Sequence, residues 1–208
     1  MIVADFRVIT LSQFCNFITK TGMHRYNAVK SIYRDLHSDY TIGTDYWAML
    51  RNHIKYVLNH SGKAEELDVV LDRVSEDKRA NYSQKIGGLK KFWKKRKLEK
   101  LILSKKFWKH KDLRVNVAPE LCFTYREQAY AIKLFFSSGD KKISKNEADV
   151  LLELMREAYS VDTDEVKIGI LDLPRGKVFY CNNTLPEISM LVKSEAESLL
   201  KMLSSLEG

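Results

Sequence analysis

The sequence predicts an α+β protein, with an all-helical N-terminal region over residues 1–112 and a small α/β sandwich containing a mixed sheet over residues 113–208. Three observations carry this. Apolar residues recur at helical spacing to about residue 110, and no proline precedes Pro119. Beyond Leu113 the pattern changes to alternation, in short runs divided by turn residues. Ser144 with Glu147, and Thr184 with Glu187, have capping-box spacing and mark two helix starts inside the second half. The order expected there is β-β-β-α-β-β-α.

The first helix is expected from Ile9 to Gly22. Thr10 and Gln13 form a capping-box pattern, and Ile9 and Phe14 suit a hydrophobic staple. A second helix, from about His24 to His37, places Val29, Ile32, Tyr33 and Leu36 on one face. Two helices joined near a glycine can form a DNA-reading helix-turn-helix, but no further signature supports that, and ordinary packed helices are the reading. A third helix, from Thr44 to His60, presents Trp47, Leu50, Ile54, Val57 and Leu58, with Gly62 as its stop. A fourth covers Ala64 to Val74. A fifth starts near Ser75, and Gly87-Gly88 is expected to weaken or bend it.

The segment from Lys85 to Arg114 organises the rest. Thirteen of its thirty residues are Lys or Arg against two acids, which makes +11 on a chain of net +8. The remainder therefore sums to about −3, so the basic excess sits in one block and points to a polyanion. Lys90-Lys91-Phe92-Trp93-Lys94 recurs unchanged as Lys105-Lys106-Phe107-Trp108-Lys109. As a helix, this stretch would have Leu89, Phe92, Trp93, Leu103 and Phe107 near one side and Leu98, Leu101 and Ile102 near the other. Either it is wedged between layers or it breaks near Ser104.

In the second half, strands are expected over Arg114 to Val117, Leu121 to Tyr125 and Ala129 to Phe136. The helix from Ser144 presents Ala148, Leu151, Leu152, Met155 and Tyr159. Val166 to Leu171 and Lys177 to Cys181 form a strand pair around Pro174-Arg175-Gly176. The last helix has Ile188, Leu191, Val192, Leu199 and Leu203 as its core stripe.

Composition narrows the function. With 45% hydrophobic residues over 208, the chain can bury a sizeable core. Cys15, Cys122 and Cys181 are odd in number and widely spaced, which suits reduced, buried thiols in the cytoplasm. There is no secretory signal and no apolar run long enough for a membrane span. The phosphate-binding, dinucleotide-binding, serine-hydrolase and zinc-protease motifs are missing. His53 and His60 share a helical face but stand roughly 10 Å apart by helix rise, too far to chelate one ion. Asp162, Asp164 and Glu165 lack the glycine and final glutamate of a calcium loop and read as a solvated loop.

The order of elements from about residue 113 to 206 resembles the core of the PD-(D/E)XK nuclease superfamily. That resemblance implies a mixed sheet flanked by helices, in which an acid on one strand and an acid-x-Lys on the next hold Mg²⁺ and orient water. Glu120, in Pro119-Glu120, would be the first acid and Lys133, in Ala131-Ile132-Lys133, the lysine. Ala131 stands where the second acid belongs, and Asp172 is the residue that would have to replace it. The same resemblance would make Glu120 and Asp172 the metal ligands. The runs NVAPELCFTYREQAYAIKLFF and GILDLPRGKVF are also similar to segments of bacterial proteins without assigned activity, which implies none here. Without the resemblance, Glu120 reads as a turn residue paired with a nearby base, and Lys133 as an edge-strand lysine.

The leading expectation is a cytoplasmic nucleic-acid-binding protein needing no cofactor. Lys90, Lys91, Lys94, Lys95, Arg96, Lys97, Lys105, Lys106, Lys109 and Lys111 would contact phosphates from a lysine-rich helix, without sequence specificity. Phe92, Trp93, Phe107 and Trp108 are expected mainly in the core, with stacking on unpaired bases as the alternative. Two further readings stay open. One is a Mg²⁺-dependent nuclease acting through Glu120, Lys133 and Asp172. The other is an interaction or immunity-type module whose basic block docks on an acidic protein.

Overall fold

In the computed structural model the chain is α+β, with N-terminal helices followed by mixed sheets and their helices. The structure describes residues 6–38, 45–94, 96–136, 141–159, 165–181 and 186–207. Thr44, Lys95, Asp162, Asp164 and Thr184, each assigned a part above, lie outside the described residues.

A short strand, β1 (Arg7–Thr10), leads directly into α1 (Leu11–Ile18). The capping box at this junction is formed. Thr10 Oγ1 accepts from the Gln13 amide at 3.1 Å, and Gln13 Oε1 accepts from the Thr10 amide at 2.8 Å. Gly22 is not the end of this helix but the first residue of the next, α2 (Gly22–His37). Then come α3 (Ala48–His60), a 3-10 helix (Ala64–Asp72) where an α-helix was expected, and α4 (Glu76–Trp93). Gly62, at φ +65°, terminates α3 as predicted, its amide donating to the Val57 carbonyl at 2.8 Å.

The expectation of a lysine-rich helix running to about residue 110 is corrected. Helix α4 ends at Trp93 and is followed by strand β2 (Glu99–Lys100) and strand β3 (Phe107–His110). The cause is legible in the side chains. One turn beyond Phe92 and Trp93 stand Arg96 and Lys97, so no apolar residue holds a further turn against the core. The two copies of the pentapeptide thus take different structures, the first closing a helix and the second forming a strand. In the helix both Phe92 and Trp93 are buried, whereas in the strand Trp108 points in and Lys109 points out.

The remaining elements are β4 (Leu113–Asn116), β5 (Leu121–Tyr125), β6 (Gln128–Phe135), α5 (Lys145–Ala158), β7 (Val166–Asp172), β8 (Lys177–Tyr180) and α6 (Pro186–Glu207). This is the β-β-β-α-β-β-α order read from the sequence. The strands form two sheets, β1-β4-β3 and β2-β5-β6-β7-β8. β1 lies parallel to β4, pairing Arg7 with Leu113, and β6 lies parallel to β7.

The five-stranded sheet separates two cores. On one face Leu121, Phe123, Ile132, Leu134 and Leu171 meet α3, the 3-10 helix and α4 through Leu50, Ile54, Leu67, Tyr82, Ile86 and Trp93. On the other face Ile168 and Ile170 meet α1, α2, α5, α6 and the small sheet through Phe14, Ile32, Leu151, Leu199 and Trp108. Each core draws on residues from both sides of position 112. In α6 the stripe holds for Val192, Leu199 and Leu203, but Leu191 is exposed.

Candidate nucleic-acid interface

Trp93 fixes the geometry of the basic surface. Its indole, at the last residue of α4, is buried and donates to the Gly62 carbonyl at 3.1 Å. That bond ties the loop after α3 to the end of α4. Between them lies a groove of about 650 Å³, with Gly62, Lys63, Ala64 and Glu65 on one wall and Gly87, Lys90, Lys91, Trp93, Lys94, Arg96 and Lys97 on the other. Among the described residues six cations thus face one acid, Glu65.

These cations are only loosely held. Lys63, Lys91, Lys94 and Lys97 are exposed. Lys90 pairs with Asp68, and Lys97 lies 3.6 Å from Glu99, both at positions open to solvent. Such exposed pairs are worth about 1 kcal/mol or less, so a phosphate can displace them. The Arg96 guanidinium lies 4.9 Å above the Phe92 ring, which orients it, and among the described residues it makes no ion pair with a carboxylate. Lys90 and Lys91 also complement the negative end of the α4 dipole, a structural role that accounts for two of the six.

The structure therefore divides the predicted phosphate contacts. Lys90, Lys91, Lys94, Arg96 and Lys97 gather at the groove. Lys105, Lys106, Lys109 and Lys111 lie on β3 and its flanks, in the other sheet. Among them, Lys106 lies over the Tyr159 ring, and Lys111 pairs with Glu197 at 2.7 Å. The Lys111 hydrogen bond, joined by one from His110, holds the Glu197 carboxyl below the usual glutamate range. Lys63 escaped the sequence reading. It stands apart from the basic block, and the Trp93–Gly62 bond, with the packing of the 3-10 helix on α4, brings it to the groove.

Glu120 and Lys133 do converge. Glu120 precedes β5, and its Oε1 lies 2.6 Å from Lys133 Nζ, while its Oε2 accepts from the Leu134 amide at 2.8 Å. Lys133 also donates to the Ala118 carbonyl at 2.9 Å. Asp172 does not join them. Strand register puts Ile170 opposite Lys133 and Asp172 opposite Phe135, so Asp172 shares the sheet face but stands two positions further along. It pairs instead with Arg175, whose other donor reaches the Ile143 carbonyl at 2.7 Å. Asp172 Oδ1 is buried without a hydrogen-bond partner.

Ala131, where a second carboxylate would be needed, is wholly buried. Among the described residues no group of three or more His, Cys, Asp or Glu is placed to hold a metal ion. Glu120, Lys133 and Asp172 therefore do not fit Mg²⁺ as a set. The described helices include none long and apolar enough to cross a membrane.

No family model matches the chain, and neither does any curated protein or solved structure.

Proposed function

We propose that the chain binds nucleic acid by seating the phosphate backbone in the groove between the α3 loop and the end of α4. The observation that carries this reading is the gathering of Lys63, Lys90, Lys91, Lys94, Arg96 and Lys97 around one cleft with a single acid on its wall. The rest of the chain is slightly acidic, so the field is local and can orient a polyanion. Affinity comes from counterion release. Neutralising about six phosphates gives a log–log salt slope of roughly −5. Base sequence is not read by such contacts, since phosphates carry no sequence information.

The test is fluorescence anisotropy of labelled DNA and RNA across a salt series. Saturable binding with a slope near −5 is the expected result. Changing Lys91, Lys94 and Lys97 together to Gln is expected to flatten the slope by about 3. No binding at low salt, or an unchanged slope in the triple variant, overturns the reading. Saturable capture of an acidic protein in place of nucleic acid would put the docking-module reading first.

A further inference from the structure

The aromatic residues of the basic segment cannot serve as a stacking surface. Phe92, Trp93 and Trp108 are buried, and Phe107 is half-buried beneath the Lys105 ammonium. If the groove held only phosphates, single strands would have no advantage over duplexes, whose charge density is higher. The structure offers something else on α3, the helix whose following loop forms one wall of the groove.

On α3 the rings of His53, Tyr56 and His60 form a column. Tyr56 and His60 are 4.2 Å apart between centroids with planes 25° apart, and His53 and Tyr56 are 6.2 Å apart at 15°. The histidine rings at either end are fixed by the backbone. His60 Nδ1–H donates to the Tyr56 carbonyl at 2.9 Å, and His53 Nε2–H donates to the Glu66 carbonyl at 2.8 Å. Yet Tyr56 is 54% exposed and His60 is exposed too. Lys63, three residues past His60, lines the groove, and three residues of chain span at most about 10 Å. A column of rings already ordered beside a cationic groove costs little further entropy to engage.

We propose that the His53–Tyr56–His60 column is a base-stacking platform, and that the preferred ligand is therefore single-stranded nucleic acid. Its backbone lies in the groove and an unpaired base packs on the Tyr56 ring, which is more than half exposed. This inference rests on the groove reading and adds a ligand class to it. Bases stacked in a duplex have no free face to offer, so the platform separates single strands from duplexes. An ordinary role exists for such rings, since aromatic neighbours at these spacings stabilise a helix by a few tenths of a kcal/mol. That role changes thermal stability and leaves strand preference alone.

The experiment compares a labelled oligothymidylate, an oligouridylate and a duplex of equal length against the full chain and its Tyr56→Ala and Tyr56→Phe variants. One stacked base is worth about 1–3 kcal/mol, so Tyr56→Ala is expected to weaken single-strand binding roughly 5- to 150-fold and to leave duplex binding as it was. Tyr56→Phe keeps the ring and is expected to bind as the unchanged protein does. A 2-aminopurine in the single strand is expected to lose fluorescence on binding, and to recover it with Tyr56→Ala. Equal single-strand affinity in Tyr56→Ala, or equal losses on single strand and duplex, overturns the platform while leaving the groove intact. Absence of binding to every probe by the unchanged chain overturns both.

Discussion

The Leu173 carbonyl oxygen occupies the place where a side chain on Gly88 would begin, only 1.5 Å from an ideal Cβ. This contact seats α4 on the turn between β7 and β8, and Gly176 in that turn approaches the Gly88 carbonyl in the same way. The two adjacent glycines, read from sequence as a weak point, thus have separate explanations. Gly88 is a place of close approach, whereas Gly87 has nothing within 4 Å of its Cβ position.

Gly88→Ala is therefore expected to cost roughly 3 kcal/mol or more, because the clash is with backbone that cannot swing aside. Gly87→Ala should do the opposite and stabilise by about 0.5–1 kcal/mol, as a helix-interior glycine with room for a methyl group. Thermal melts of the two variants check this, and equal shifts would remove the close-approach account.

The Glu120–Lys133 pair ties the segment before β5 to β6. Changing Lys133 to Met leaves a largely buried carboxylate whose remaining hydrogen bond among the described residues is to the Leu134 amide, which is expected to cost about 2–3 kcal/mol. Adding Glu120→Gln to that variant should recover part of the loss, because the stranded charge is gone. A double-mutant cycle in urea measures the coupling. Additive losses would mean that the two groups act independently.

How much of this was legible depends on how local each signal is. Thr10 with Gln13 and Ser144 with Glu147 were readable because a capping box is complete within four residues. The strands after Leu113 were readable because their alternation is bounded by turn residues. Strand β1 was missed, since it has four residues and its partner begins at Leu113, more than a hundred positions away. The end of α4 was missed because Leu98, Leu101, Ile102 and Leu103 kept the average composition helix-like, although Arg96 and Lys97 break the stripe. At the site, the charge was legible but its division between groove and β3 was not. Lys63 and Tyr56 stand outside the basic block, and it takes the packing of the 3-10 helix on α4 and the Trp93–Gly62 bond to bring Lys63 to the groove.

The three thiols are expected to be inert in the folded chain. Burial, with Glu147 nearby, pushes Cys15 up to about 12, and burial beside Glu120 pushes Cys122 up to about 11. Burial also raises Cys181. At about pH 8, such thiolate populations for Cys15 and Cys122 are roughly two to three orders of magnitude below that of a free cysteine. Titration with a disulfide reagent should be slow for the native protein and count three thiols in denaturant. Prompt native reactivity of Cys15 would contradict its placement against α5.

Acid should find the start of α5. Burial by itself raises the Glu147 carboxyl, but hydrogen bonds from the Ser144 amide and hydroxyl, together with Lys141, outweigh it and hold the group below the usual glutamate range. Glu157 is lowered in the same manner, with burial opposed by the Ser189 hydroxyl, the Trp108 indole and Lys193. A carboxyl whose folded value is depressed adds stability that is fully present above the unfolded value of about 4.3 and is lost as pH falls through the folded one. Stability should therefore stay level from about pH 7 to 5 and then decline. Glutamine at position 147 can still accept from the Ser144 amide, so Glu147→Gln removes the charge and spares the capping box. Its melting temperature is expected to lie below that of the unchanged chain near pH 7, and the gap is expected to close as pH falls through the folded value of the native carboxyl. A gap that keeps its size as pH falls would show that Glu147 acts through shape and hydrogen bonding alone.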